Sequence, residues 1–255
     1  MQLIDTHTHL YLPEFDTDRD EMVNRAVSSG VVKLLLPNID IRSVGPMLSA
    51  ADRYKGVCYP MIGLHPTSVK EDYISQIEKL ELSAAENKFV AVGEIGIDLY
   101  WDKTHLKEQR EALRRQVSFA IKSDLPVVIH SRESFPEVFS VLEEFKGQGL
   151  TGVMHAFSGS IEDAKKAVGM GFMLGIGGPL TFKNSGLEKI SHAIGIEHIL
   201  LETDSPYLAP VPYRGKRNES SYICIVNKKL AEIFGMDEEE TASVTFENSC
   251  RLFKI

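Results

Sequence analysis

The chain has few of the features that mark secreted, redox-active or membrane-spanning proteins. Its three cysteines are odd in number and form no C-x-x-C pair, so we expect reduced thiols rather than a disulfide framework. No basic segment leads into a long apolar run at the start, and no window approaches about 18 uninterrupted apolar residues. We therefore expect a cytoplasmic protein that is neither secreted nor inserted in a membrane.

The chain also lacks a large excess of positive charge. Its net charge of −8 argues against a protein that coats nucleic acid through a broad basic surface. An enzyme that meets a phosphate at bound metal ions remains compatible, because the ions supply positive charge locally. The one compact basic cluster is Arg214, Lys216 and Arg217 in YRGKRNES, and by itself it predicts only a solvated loop.

Short apolar runs alternate with amphipathic segments, and no linker or repeat divides residues 1–255 into two domains. The eight runs are residues 2–7, 31–36, 57–64, 89–97, 126–130, 152–156, 172–177 and 198–203. Runs that are apolar on both faces and separated by helices are typical of buried parallel strands. A doubly wound open sheet is the alternative, but no G-x-G-x-x-G or P-loop follows an early strand. The sequence predicts a single-domain α/β protein, a (β/α)8 TIM-type barrel.

Three local signals predict helix ends. Ser134 precedes an apolar helical stripe and has Glu137 three residues on, which is the spacing of a capping box. Ser160 and Asp163 repeat that spacing. Gly235 followed by Asp237 indicates that one helix ends and the last one begins.

The stretch LIDTHTHL (residues 3–10) carries the first residues of metal-ligand type. In a strand, His7 and His9 point to the same face. Further groups of this type lie in or near the ends of predicted strands three, four, five, six and eight: His65, Glu94, His130, His155 and Asp204. The carboxyl ends of barrel strands converge on one mouth, so these residues should meet there.

Each lone histidine has an alternative as a hydrogen-bonded polar residue, which we favour for His192 and His198. Glu94 lies within the apolar run FVAVGEIGI, where a buried carboxylate needs a cation, a partner or a proton. Four histidines and two carboxylates exceed the three protein ligands usual for one catalytic zinc. They suit two divalent ions, Zn²⁺, Mg²⁺ or Mn²⁺, with Glu94 between them. We predict His7, His9 and Asp204 on one ion, and His130 and His155 on the other.

Several motifs together give the chain a family resemblance. They run in order along nearly the whole chain: DTHTHL, GLHP, GEIGIDLYW, PVVIHSRE, HAFSGS, LLETDSPYLAP and YRGKRNES. With them the chain resembles the TatD family of metal-dependent deoxyribonucleases, in the amidohydrolase superfamily. The resemblance implies a TIM-type barrel, a divalent-metal centre and hydrolysis of DNA phosphodiester bonds. The ligands it implies are His7, His9, Glu94, His130, His155 and Asp204. Glu94 stands where many superfamily relatives carry a carboxylated lysine, and Ser220 stands where the family often has proline.

From these features we predict a divalent-metal-dependent hydrolase that cleaves DNA exonucleolytically, on single strands or ends, with a hydroxide activated by two metal ions. Asp204 would be both ligand and general base, and Glu202 would orient a ligand or pair with a base. His65 and Arg132 would stabilise charge on the phosphoryl oxygens, although a salt bridge is an equal alternative for Arg132. Contacts with the DNA backbone are predicted for Arg214, Lys216 and Arg217, and base stacking for Tyr100 and Trp101.

Two other functions compete with the nuclease. The first is a small-molecule amidohydrolase that cleaves a cyclic amide or ester at the same metals; Glu94 in place of lysine and the basic loop argue against it. The second is a non-catalytic scaffold, which would have no need for so many partly buried charges. We expect DNA as the partner, no membrane contact and no obligate protein partner.

Overall fold

The structure is a computed structural model that describes all residues, 1–255. All eight predicted strands form: β1 Leu3–Asp5, β2 Val31–Pro37, β3 Cys58–Met61, β4 Val92–Asp98, β5 Val127–Arg132, β6 Gly152–Met154, β7 Phe172–Ile176 and β8 Ile199–Leu201. Nine α-helices accompany them: α1 Arg19–Ser28, α2 Val44–Arg53, α3 Tyr73–Glu86, α4 Leu106–Lys122, α5 Phe135–Leu142, α6 Ile161–Gly169, α7 Leu187–Ile194, α8 Ile223–Phe234 and α9 Glu238–Phe253.

The strands lie side by side in chain order and are parallel. One ladder runs from β1 to β3 and a second from β4 to β8. Parallel bridges between Ile62 and Val92 and between Thr8 and Ser205 join the two ladders at both edges. The strands therefore form the predicted single-domain (β/α)8 TIM-type barrel, and their carboxyl ends meet at one mouth.

Two apolar layers hold the barrel together. Alternate strand residues point inward, and an interior cluster contains Leu35, Met61, Val128 and Leu200. The residues between them point outward and pack under the helices in a larger cluster. Because both faces of every strand are covered, the strands read as continuous apolar runs in the sequence.

The predicted helix ends are confirmed at all three places, since Ser134 is the N-cap residue of α5, but one of the two predicted capping boxes is absent. Ser160 Oγ accepts a hydrogen bond from Asp163 N at 3.1 Å, and Asp163 Oδ2 accepts one from Ser160 N at 2.9 Å, so α6 has a full capping box. Gly235 ends α8 with φ 65°, and Asp237 caps α9. The capping box at Ser134 is wrong. Its hydroxyl instead donates to Ile97 O and thereby ties the start of α5 to β4.

The structure also describes the state of the cysteines and the character of the helices. Cys58, Cys224 and Cys250 are all free of disulfide bonds. None of the helices combines the length and the apolar character that a membrane span requires.

Candidate metal centre

A cavity of about 820 Å³ opens at the carboxyl ends of the strands. This volume lies within the range usual for small-molecule sites. Residues of metal-ligand type line it: His9, His65, Glu94, His130, His155 and Asp204. His7 is fully buried and adjoins them. The barrel thus brings all seven of these predicted residues into one place, as the convergence of strand ends requires.

The first group of ligand atoms surrounds His7 and His9. Their Nε2 atoms lie 3.3 Å apart, and Glu94 Oε2 lies 3.2 Å from the first and 3.8 Å from the second. Asp204 Oδ1 is 3.9 Å from His7 Nε2 and 3.6 Å from His9 Nε2. Donor atoms about 2.1 Å from a shared ion in tetrahedral or octahedral geometry stand roughly 3.0–3.5 Å apart. The four atoms are therefore close to the spacing that one divalent ion needs.

The second group surrounds the other oxygen of Glu94. Its Oε1 lies 2.7 Å from His130 Nδ1, 3.3 Å from His65 Nε2 and 3.8 Å from His155 Nε2. The two oxygens of one buried carboxylate therefore face two different sets of imidazoles. This is the arrangement of a carboxylate that can bridge two ions.

The assignment of histidines to the two ions differs from the sequence-based prediction. His155 Nε2 is as close to Asp204 Oδ1 as to Glu94 Oε1, at 3.8 Å, and its ring stacks on His7 with centroids 3.3 Å apart. Its ligand atom therefore lies in one group with those of His7 and Asp204, and not only near the Glu94 oxygen that faces His130. His65, predicted to contact the phosphoryl group, groups with Glu94 and His130 and can serve as a ligand.

Three neighbouring groups orient the histidine rings. Asp98 Oδ2 lies 2.8 Å from His130 Nε2, and Glu202 Oε2 lies 3.0 Å from His155 Nδ1. The Tyr11 hydroxyl lies 3.1 Å from His9 Nδ1. Partners of this kind fix the ring and the tautomer of metal-binding histidines. The orienting role expected for Glu202 agrees with this geometry.

Sequence reasoning missed Asp98, although a signal for it was present. Asp98 is four residues beyond Glu94 in β4, so both side chains point to the same face of the strand. Its Cα pairs in register with that of Arg132, two residues beyond His130. Strand alternation alone would have placed Asp98 beside the site.

Charges within the cluster balance one another. Burial opposes ionisation of Glu94, yet His65, His155 and His7 hold its pKa well below the usual value. Burial also disfavours charged imidazoles. The pKa of His130 nevertheless rises to about 9 beside Asp98 and Glu94, and that of His155 rises to about 10 beside Glu202 and Glu94. Without metal, two imidazolium groups therefore offset the buried carboxylates.

His7 and His9 remain neutral and present lone pairs. Burial lowers the pKa of His9 to about 4 and that of His7 well below its ordinary value. The Nδ1 atom of His7 is buried without a hydrogen-bond partner. Two neutral imidazoles in contact beside two carboxylates form a donor set suited to a divalent cation. The residues present thus fit the metal ions that the motifs imply.

Asp204 is held at the mouth by hydrogen bonds between the first and last strands. The buried Asp5 carboxylate accepts from Thr203 N at 2.9 Å and from Thr203 Oγ1 at 2.6 Å. Asp204 N donates to His7 O at 2.9 Å, and Asp204 has a positive φ of 56°. Burial raises the pKa of Asp204 to about 7. The carboxylate is thus in place both to contact a cation and to accept a proton.

The predicted phosphate-binding arginines separate into two kinds. Arg217 is bound within the protein: its guanidinium forms two 2.7 Å hydrogen bonds with the Asp18 carboxylate and one with Glu14 O. This guanidinium therefore already has acceptors within the protein, and its predicted contact with DNA stays a prediction. Arg214 stacks on Phe182 at the cavity rim, and Lys216 is exposed without an ion pair. Arg132 lines the cavity and has no salt bridge, so the ion-pair alternative is wrong for it.

Comparison with known proteins places this site in a family. The model of the family described as "TatD related DNase" matches residues 4–254. The chain is 38% identical to the uncharacterized metal-dependent hydrolase YabD of Bacillus subtilis, over 99% of both chains. It is 31% identical to the uncharacterized metal-dependent hydrolase YjjV of Escherichia coli, over 100% of this chain and 98% of the relative.

Solved structures agree with the sequence relatives. The crystal structure of YjjV, a TatD homologue from Escherichia coli, superposes with a TM-score of 0.93 at 30% identity, over 99% of this chain and 98% of that one. A TatD-family hydrolase of Entamoeba histolytica shares the fold, with a TM-score of 0.86 at 23% identity over 99% and 98% of the chains. The chain therefore belongs to the TatD-related DNase family and is a metal-dependent hydrolase.

Proposed function

We propose that this hydrolase cleaves phosphodiester bonds of DNA with two divalent ions, exonucleolytically, on single strands or strand ends. The observation that carries the proposal is the position of Glu94. One of its oxygens faces His7 and His9, and the other faces His130 and His65. A carboxylate between two ions about 3.5–4 Å apart is a recurrent feature of enzymes that break phosphodiesters.

The ligand groups assign each side chain a task. His7, His9 and Asp204 would hold one ion and His130 and His65 the other, with Glu94 shared and His155 within reach of both groups. Bound Zn²⁺, Mn²⁺ or Mg²⁺ would lower the pKa of a water molecule and draw charge from the phosphoryl oxygens. Asp204 lines the cavity and would accept the proton of the attacking water.

Charge and shape favour strand ends over long duplexes. The net charge of −8 and the pairing of Arg217 with Asp18 leave no broad basic surface around the mouth. A polyanion can then approach only where the bound ions and a few cations at the mouth attract it. A single strand or a frayed end can enter the mouth while it brings the fewest phosphates close to the rest of the negatively charged protein.

The test is a cleavage assay on end-labelled single-stranded DNA. Wild type is compared with Asp204→Asn and Glu94→Gln, in EDTA and with added Mg²⁺, Mn²⁺ or Zn²⁺. Glu144→Gln is the matched control, since Glu144 pairs with Arg114 on the outer surface. We expect a ladder that shortens from one end in wild type and the control only. Stoichiometric metal binding with intact DNA under every ion would refute the substrate but not the metal centre.

The cavity wall also favours a second candidate, hydrolysis of a compact cyclic amide or ester. Phe157, Phe182 and Leu187 form an apolar side next to the ligand cluster, which could enclose an organic ring. A panel of cyclic amides and lactones, assayed with the same variants, tests it. Turnover that is lost in Asp204→Asn, together with intact DNA, would favour this function over the nuclease.

A further inference from the structure

Most arginines of this chain are occupied within the protein. Of the eleven, seven pair with carboxylates: Arg19, Arg25, Arg42, Arg53, Arg114, Arg115 and Arg217. Arg110 donates to Ser140, and Arg251 donates to Asn248. Arg132 and Arg214 alone have neither an ion pair nor a side-chain hydrogen bond. In an acidic protein, two arginines left without any side-chain hydrogen-bonding partner indicate binding of an external anion.

Both of these arginines stack on aromatic rings. The Arg132 guanidinium carbon lies 3.8 Å from the centroid of Tyr100 and 5.4 Å from that of Trp101. The corresponding distance from Arg214 to Phe182 is 4.5 Å. Stacking covers one flat face of a guanidinium and leaves its N–H edge free, which is the edge that binds phosphate.

The two pairs lie on different sides of the metal-ligand cluster. Tyr100 and Trp101 follow β4, and Arg132 ends β5, whereas Phe182 follows β7 and Arg214 lies in the segment after β8. Trp101, Arg132 and Phe182 line the same cavity as Glu94 and Asp204. A strand that crosses the mouth over the cluster would meet one pair before it and the other after it.

We propose that the two arginine–aromatic pairs hold a single DNA strand on both sides of the scissile phosphate. Arg132, which the sequence-based prediction assigned to the reacting phosphoryl group, would instead bind one flanking phosphate, with the exposed rings of Tyr100 and Trp101 available to stack a base. Arg214, supported by Phe182, binds the phosphate on the other side. The inference rests on the proposed nuclease function and names how its substrate is gripped. A small phosphodiester without flanking nucleotides needs neither pair.

The experiment compares two substrates across matched variants. Arg132→Ala, Arg214→Ala and the double variant are assayed on a single-stranded oligonucleotide and on bis(p-nitrophenyl) phosphate. Arg110→Ala is the control, because Arg110 contacts Ser140 away from the cavity. Anisotropy of a fluorescent phosphorothioate oligonucleotide, which resists hydrolysis, reports strand binding independently of cleavage while the divalent ions remain bound. The slope of log affinity against log salt counts the phosphate contacts, at about 0.7 per contact for a single strand.

We expect each alanine variant to weaken oligonucleotide binding and to raise KM for it about tenfold, with less than a twofold change on the small diester. Each should also reduce the salt slope by about 0.7. Equal loss on both substrates would place the arginine on the reacting phosphate and overturn the inference, as would unchanged binding in both variants. A wild type that binds the strand through these arginines but leaves it intact would refute the nuclease function alone.

Discussion

Gly175 provides a sharp test of how the cavity positions His155. Glycine is required at this site because a Cβ there would lie 2.7 Å from Glu202 Cδ, and closer still to Oε2. Glu202 is buried, and its carboxylate accepts hydrogen bonds from Ala156 N at 2.7 Å and interacts with His155 Nδ1 at 3.0 Å. Gly175→Ala therefore disturbs the orientation of His155 indirectly, through the carboxylate of Glu202.

The size of the effect follows from these distances. To restore a contact of about 3.4 Å with the nearest atom, Glu202 Oε2 must move by about 1.2 Å, since 3.4 − 2.2 = 1.2. A shift of this size directed away from His155 lengthens the distance from Oε2 to His155 Nδ1 from 3.0 Å to about 4.2 Å, which is beyond hydrogen-bond distance. Loss of such an orienting partner weakens metal binding about 10- to 100-fold. The metal-free protein should also lose about 1.5–3 kcal/mol of stability.

Calorimetry of Zn²⁺ binding and urea unfolding of the metal-free protein measure the two effects. Gly169→Ala is the control, because a Cβ at Gly169 meets nothing within 4 Å. The same substitution is made in a Glu202→Ala background to complete a double-mutant cycle. In that background Gly175→Ala should cost nothing further in metal affinity. An equal loss with and without Glu202, or no loss at all, would refute the proposed route from Gly175 to His155.

Three further predictions follow from side-chain partners. Asp98→Asn should lower the pKa of His130 from about 9 in the metal-free protein, which NMR titration measures; an unchanged value would show that Asp98 does not hold the proton. At pH 7 both His130 and His155, with pKa values of about 9 and 10, carry protons that a metal must displace. Metal affinity should therefore rise with pH towards that range, and calorimetry in two buffers should show release of about two protons per chain; zero release would contradict this. Arg217→Ala should leave DNA cleavage unchanged and cost at most about 1 kcal/mol in urea unfolding, because its partner Asp18 is partly exposed; a large rise in KM would restore Arg217 to the DNA site.

The proposed function requires an acidic protein to act on an anionic substrate. Divalent ions held by the ligand cluster, with a few cations at the mouth, would supply the positive potential for this, while the net charge of the chain is −8. Asp5 and Thr203 connect the first strand to the loop after the last, and so align His7 with Asp204. His7 and Asp204 are nearly 200 residues apart in sequence, and they meet because the segments after the first and last strands lie side by side.

Local pattern was sufficient for the strands, for most helix ends and for the set of metal-capable residues. Apolar runs covered on both faces identify parallel strands, and histidines and acids at strand ends must converge once those strands form a barrel. Glu94 could be recognised because an acid in an apolar strand requires a charged partner. At Ser134 the helix begins where the pattern predicts, but the capping box does not form, since a carbonyl of β4 competes for the hydroxyl that would cap the helix.

The sequence of this protein therefore contains its fold, its ligand types and its family, all of which depend on neighbours in the chain or on residue identity alone. Other features depend on distances across the barrel. They are the pairing of each imidazole with one oxygen of Glu94, the stacking of His155 on His7, and the place of His65 beside Glu94 as a possible metal ligand. The ion pairs of the basic loop also depend on distances across the fold. Arg217 forms a salt bridge with Asp18, the N-cap residue of α1, whereas Arg214 has no ion pair. Spacing along a chain carries no information on such through-space competition, so only the tertiary structure decides it.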